Sequence, residues 1–202
     1  MVCLFQTAQL RFVPIAKVAL APKVAVTTLC VGPRGDWVAT GGDDMCLRLH
    51  GAGDLACLDK VALVPKSVHD YPGLRSLCTD GTSLAVADEQ GRVFLAPVEQ
   101  LSAVREISPP TPKRGRPLTR AFSTGLCFAP GNKLIIPRIY AYSDGDVGFF
   151  QIYDVETQSV VAHYEAEFTR VSMALICPNK HWYLALCRYG ARLWHLADIL
   201  GE

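Results

Sequence analysis

An all-β fold of stacked antiparallel sheets is what this sequence predicts, and three observations carry it. A phrase returns four times: Leu29-Cys30 opens LCVGPRGDWVATGG, Leu77-Cys78 opens LCTDGTSLAVAD, Leu126-Cys127 opens LCFAPGNKLIIP and Ile176-Cys177 opens ICPNKHWYLALC. Its cysteines follow one another at spacings of 48, 49 and 50 residues. Each copy reads as an apolar strand, a polar turn rich in Gly, Pro, Asp or Asn, and a second apolar strand, and no sustained helical stripe appears anywhere. One such unit cannot bury both of its faces, so neighbouring copies must stack.

The remaining elements of each repeat follow in order. Third strands are expected at 45–50, 92–97, 147–153 and 191–196, each after an acidic or Gly-rich turn: Gly41-Gly-Asp-Asp44, Asp88-Glu-Gln-Gly91, Ser143-Asp-Gly-Asp146 and Arg188-Tyr-Gly190. Asp-Gly and Gly-Gly supply the positive φ of tight hairpins. Fourth strands are expected at 55–64, 104–107 and 159–167, while the last copy ends after its third. The repeats therefore span about 24–68, 69–108, 121–168 and 169–199, with strand-sized pieces in 1–23 and a basic, Pro-rich loop at 108–120.

At 202 residues the chain can bury a substantial core. Half of its residues are apolar and 19% are charged, the composition of a folded chain. A net charge of +1 gives no global attraction to nucleic acid or acidic membranes. Four of the eight cysteines hold the repeated position, in different sheets, and Cys46 and Cys187 lie inside apolar runs. That placement reads as core thiols in a reducing compartment, cytoplasmic or nuclear, and not as a disulfide framework. Gln6, Gln9 and Arg11 interrupt any signal-peptide core, and Lys17, Pro22 and Lys23 break the best apolar run short of the about 18 residues of a spanning helix. A soluble chain with no membrane partner is expected. Residues 1–35 hold Arg11, Lys17, Lys23 and Arg34 and no acid, the charge of a mitochondrial presequence, but their valines and alanines alternate as in a strand.

The second repeat, VHDYPGLRSLCTDGTSLAVADEQGRVFLA, resembles a WD repeat. His69 falls at the family's His, Ser76 at its strand Ser or Thr, Asp80-Gly81 at its turn and Asp88 near its hairpin Asp. The first repeat matches through Pro33, Gly35, Ala39-Thr-Gly-Gly42 and Asp44 without the Trp, and the last places Trp194 at the Trp position without the following Asp. The likeness covers about 24–199, and no repeat holds the full His–Ser–Trp–Asp set. It implies a β-propeller of about four four-stranded blades that presents loops and rims to other proteins. Propellers commonly close by lending an N-terminal strand to the last blade, so residues 10–20 are expected to pair with 191–196 if the ring closes. Yet 1–23 contains one strand more than closure needs, which favours an open or incomplete propeller whose edges take a partner or a second copy.

Separate chemistry is confined to the loop. Lys113, Arg114, Arg116 and Arg120 carry four positive charges without an acid, and Arg114-Gly115-Arg116-Pro117 resembles the core of an AT-hook, an extended strip for the A·T minor groove. The plainer reading is a solvated loop that its prolines keep extended, with a docking or localisation signal between the two. Ser108-Pro109 and Thr111-Pro112 have the form of proline-directed phosphorylation sites, where phosphate would cancel basic charge. Cys177, His181 and Cys187 make an incomplete zinc set with no Cys-x-x-Cys, so no metal and no cofactor are implied. No nucleophile elbow, phosphate loop or carboxylate pair stands beside His50, His69, His163, His181 or His195. The expected function is a non-catalytic protein-interaction scaffold. Its rivals are a DNA- or chromatin-associated adaptor using the basic loop and a small-propeller hydrolase, for which the blade-meeting positions Ala25, Thr27, Leu74, Ser123 and Val171 offer little.

Overall fold

The computed structural model describes residues 2–8, 11–18, 24–63, 73–107, 118–142, 145–166, 171–177, 181–187 and 190–201, with the backbone alone described at 2–8, 11–18, 118–122, 142, 145–146, 166, 171–173 and 187. Four antiparallel sheets follow one another along the chain. The first holds β3 (Val26–Val31), β4 (Trp37–Gly42), β5 (Cys46–Gly51) and β6 (Cys57–Ala62), and it is preceded by a hairpin of β1 (Val2–Ala8) and β2 (Arg11–Val18). The second holds β7 (Leu74–Thr79), β8 (Ser83–Asp88), β9 (Val93–Pro97) and, after a 3₁₀ turn at Leu101–Ala103, β10 (Arg105–Glu106). In the third, β11 (Leu118–Ser123) and β12 (Cys127–Ala129) share the inner edge of β13 (Lys133–Tyr142), followed by β14 (Gly145–Asp154) and β15 (Ser159–Ala166). The fourth has three strands, β16 (Val171–Ile176), β17 (Trp182–Cys187) and β18 (Gly190–His195), and ends in the short α1 (Leu196–Leu200). Among the described residues no helix is long and apolar enough to cross a membrane.

Local chemistry sets the hairpins. Asp80 accepts the N–H groups of Thr82 (2.8 Å) and Ser83 (2.7 Å), and Gly81, at φ +102°, supplies the backbone turn that an L side chain resists. Gly32 serves the neighbouring sheet differently: a Cβ there would stand 2.5 Å from the Trp37 ring, so the indole folds over bare backbone.

Every strand contributes one row of side chains to each face, and the faces stack. The forward face of the first sheet (Trp37, Ala39, Leu47, Leu49) packs on the rear face of the second (Leu77, Leu84, Val86, Phe94). Ala85, Ala87, Val93 and Leu95 meet Leu126, Leu134, Ile136 and Tyr153 of the third, and Cys127, Ile135, Phe150 and Ile152 meet Tyr183 and Ala185 of the fourth. Burial of these rows is the main stabilising term of the stack.

β2 pairs with β1, not with β18, and among the described residues no strand lies on the outer edge of β18. The row of sheets is therefore not closed by an N-terminal strand, the open arrangement that the extra strand within 1–23 favours. Two expectations need correction. Arg120 lies on β11 opposite Ala141, so the strand begins before the loop was expected to end. Finally, Cys177 does not share the place of Cys30, Cys78 and Cys127. Those three stand opposite Ala39, Ala85 and Ile135, whereas the corresponding pair in the fourth sheet is Leu175 with Leu184. Cys177 lies two residues further on, where its N–H donates to Trp182 O at 2.9 Å, as Gly32 donates to Trp37 O.

Candidate functional site

The inner strands carry a shared irregularity that shapes the axis of the stack. Register slips at Thr27 in β3, at Arg75 in β7 and at Ser172 in β16, each three residues before the positions just aligned. At the matching place in the third sheet the strand breaks between β11 and β12, over 124–126. Such bulges bend a strand and re-aim side chains. Around them opens a cleft of about 450 Å³ lined by Val26, Thr27, Thr28, Leu29, Arg75, Ser76, Leu77, Gly125, Leu126 and Ala174, so all four sheets contribute to one wall.

Side-chain hydroxyls stitch the sheets together around this cleft. Thr27 Oγ1 lies against the carbonyls of Gly41 (3.1 Å) and, across the interface, Leu74. Ser76 Oγ accepts the N–H groups of Gly125 and Leu126, both at 3.0 Å, and Tyr183 Oη donates to Gly125 O at 3.1 Å. The break between β11 and β12 frees these backbone groups from the ladder, and the neighbouring sheets satisfy them. Arg75, the single charged residue among the described residues of the cleft wall, pairs with Glu89.

Of the positions expected where the blades meet, Thr27 lines the cleft, but Leu74 and Ser123 are buried behind it, Ser123 donating to Pro137 O at 3.1 Å. Ala25 is exposed, its N–H held by Asp43 at 2.9 Å, and the Val171 side chain lies outside the described residues. The same holds for His69, Ser108, Thr111, Lys113, Arg114, Gly115, Arg116, Pro117 and the Arg120 side chain.

The other flagged residues hold turns and interfaces. Asp88, fully buried, accepts N–H groups from Gln90 and Arg92 at 2.9 Å and Arg92 Nε at 2.6 Å, and Arg92 lies 5.2 Å over the Phe94 ring. Asp44 receives Cys46 N–H (3.2 Å) and the Arg48 guanidinium, which holds its carboxyl below the ordinary range. Trp194 stands edge-on to Phe150, ring centroids 5.2 Å apart. Among the described residues no group of three His, Cys, Asp or Glu could hold a metal; His181 stacks on His195 instead.

Two buried polar groups escaped the sequence reading. His50 occupies in Arg48-Leu49-His50 the place of Trp194 in Arg192-Leu193-Trp194, a parallel that could have revealed it. Its Nδ1 donates to Leu55 O (3.2 Å), which leaves Nε2 to accept from Thr40 Oγ1 (3.1 Å). The second group sits where β13 and β14 outreach the other sheets: buried Arg138 lies 5.5 Å over Tyr140, and Gln151 Nε2 lies 3.1 Å from His163 Nδ1. Burial pulls the Arg138 guanidinium down, against the opposing effect of Tyr140, Asp88 and Glu106.

Burial lowers the His50 pKa, opposed by its bond to Leu55 and assisted by the Arg48 charge. The unfolded chain takes up this proton near about pH 6.5 and the folded chain only at lower pH. The stability contributed by neutral His50 is therefore complete above about pH 6.5 and falls as pH drops through it. Urea unfolding between about pH 7.5 and 5 is expected to show a stability slope that His50→Gln flattens; an unchanged slope would refute the assignment.

The thiols are ordered by burial in the same way. Burial pushes Cys30 and Cys127 up to about 12 and Cys78 well above its usual value, while Cys57 is exposed. Brief iodoacetamide treatment of the native protein is expected to modify Cys57 ahead of Cys30, Cys78 and Cys127 by peptide mass mapping. Equal labelling of all four would contradict the packing.

No protein-family model matches the chain, and no curated protein does. Solved structures do. The computationally designed Ika4 protein is similar over 90% of this chain and 97% of its own at 12% identity, TM-score 0.60. The β-propeller domain of Myceliophteria thermophila Cps50 (Swd1) is similar over 81% of this chain at 12% identity, TM-score 0.60, and the designed Ika8 protein over 91% at 12% identity, TM-score 0.58. This chain spans about half the length of those two, 49% in each case. These likenesses show the fold: a β-propeller of four successive sheets, not closed on itself.

Proposed function

We propose that the protein is a non-catalytic protein-interaction scaffold of WD-repeat-like blades, acting in the cytoplasm or nucleus. The axial cleft supports this reading most. Inner strands from four blades set small side chains, hydroxyls and one arginine around a volume suited to a short protein segment. Its Ser76 hydroxyl is engaged by two N–H groups, and no histidine or carboxylate stands on the described wall. A peptide-display selection tests it. Enriched peptides are expected to bind the wild type and to lose at least about tenfold affinity toward Arg75→Glu and Thr28→Trp, two wall variants with unchanged melting. Ester or phosphoester turnover abolished by the same variants would replace the reading with the hydrolase. Salt-dependent binding to A·T-rich duplex, lost in an Arg114→Ala/Arg116→Ala variant, would replace it with the DNA-associated adaptor.

A further inference from the structure

The first three blades each hydrogen-bond a fourth strand to the outer edge of their third: β6 on β5, β10 on β9 and β15 on β14. Among the described residues the outer edge of β18 carries none. Leu196 N–H donates to His181 O at 2.7 Å, and the register of β17 with β18 runs without a slip. Antiparallel alternation then gives Trp194, Arg192 and Gly190 to β17 and turns the N–H and C=O groups of Ala191, Leu193 and His195 outward. In the first blade the same alternation is satisfied. Leu49 stands opposite Asp59 on β6, between Gly51 N–H to Ala56 O at 3.0 Å and Leu63 N–H to Met45 O at 2.8 Å. The helix α1 leaves the stretch from Ala191 to Leu193 exposed. It turns onto the third blade, where Leu196 and Ile199 pack with Ile139 and Phe150, and Leu193 is 55% exposed against 7% for Leu49. Charge sets this edge apart as well. Arg192 and Leu193 hold the places of Arg48 and Leu49. Arg48 pairs with Asp44, and Arg92 of the second blade with Asp88 at the same four-residue spacing. Four residues before Arg192 stands Arg188, and among the described residues the exposed Arg192 has no carboxylate partner.

We infer that β18 takes its fourth strand from a partner protein: an extended acidic segment antiparallel to β18, with a carboxylate opposite Arg192 and apolar side chains opposite Leu193 and Ala191. The pairing is one the chain already makes three times, and an unpaired row of N–H and C=O groups is what an added strand satisfies. Charge selects the occupant. A second copy offering its own β18 would set Arg192 opposite or diagonal to its twin, a destabilising like-charge contact, whereas a carboxylate in that cross-strand place is stabilising. Leu175, Leu184 and Leu193 form one row across the exposed face, and an apolar residue opposite Leu193 extends it by one strand. The inference rests on the scaffold reading but assigns it a second surface, away from the cleft.

Two peptides of about eight residues, one alternating valine with glutamate and one alternating valine with lysine, test this by titration against the full chain. The glutamate peptide is expected to bind at least about tenfold more tightly than the lysine peptide, and Arg192→Glu, at an exposed position, to reverse that order. Amide exchange at Ala191, Leu193 and His195 is expected to slow on binding, while Arg192 and Trp194, already bonded to β17, change little. The residue opposite Leu193 turns its own N–H toward β18, so N-methylation of the valines is expected to abolish binding and N-methylation of the glutamates to preserve it. A glutamate peptide that fails to bind at millimolar concentration, that binds Arg192→Glu equally well, or that slows exchange at Thr27 and Ser76 in place of β18 would overturn the inference. So would a dimer of the peptide-free chain in which the same three amides are protected, because a second copy would then hold the edge. Thr28→Trp, in the cleft wall, is expected to leave the affinity of the glutamate peptide unchanged, so the edge and the cleft fail separately.

Discussion

Asp88→Ala is expected to cost about 3–5 kcal/mol of folding stability, the scale for breaking a buried ion pair by removing one partner. The carboxylate is fully buried and holds three donors: the N–H groups of Gln90 and Arg92, and Arg92 Nε. Alanine strands all three and leaves the guanidinium of Arg92, itself only 5% exposed, without its nearest counter-charge. The Phe94 ring beneath it offers a weaker cation–π contact, on the order of 2 kcal/mol when desolvated. Asp88→Asn keeps an acceptor for the turn and is expected to lose less. Urea unfolding with an unchanged m-value checks both, and a loss below about 1 kcal/mol for Asp88→Ala would show that the pair is hydrated. The exposed pair of Arg34 and Asp36 is the control: Asp36→Ala is expected to change stability by less than about 1 kcal/mol.

Asp88 was legible in the sequence because turn chemistry is local. An acid between two apolar runs, followed by Gly, is a hairpin whichever sheet it joins, and the four repeats were readable for the same reason. What sequence could not resolve follows from the period of a strand. A slip of two residues returns every side chain to the same face, so the alternation around Ile176-Cys177 fits both registers. The coincidence of a fourth cysteine favoured the wrong one, and only the opposition of Leu175 to Leu184 separates them. Closure is a harder case, because pairing residues 10–20 with β18 or with β1 depends on partners nearly the whole chain apart or only a few residues away. The structure takes the local hairpin, whose closure entropy is smaller. The axial cleft was half visible. The strand register points to Thr27 and the WD-repeat resemblance to Ser76, but the bulges that turn Arg75 and its neighbours toward the axis leave no compositional mark.

The second large effect is expected at the junction of the third and fourth blades. Tyr183→Ala should lose about 3–5 kcal/mol, the range for deleting a fully buried aromatic ring. The ring stands edge-on to Phe150 at 5.4 Å and tilted toward Trp194 at 5.9 Å, and its hydroxyl donates to Gly125 O, a carbonyl freed by the break between β11 and β12. Deletion therefore opens a cavity and strands an acceptor together. Tyr183→Phe isolates the second part and is expected to cost about 1–3 kcal/mol. The loss should not spread evenly. Among the described residues the fourth blade has three strands and packs on one neighbouring blade, so hydrogen exchange across β16 and β17 should accelerate in Tyr183→Ala while β4 and β8 keep their protection. Uniform acceleration would mean that the blades unfold as one unit.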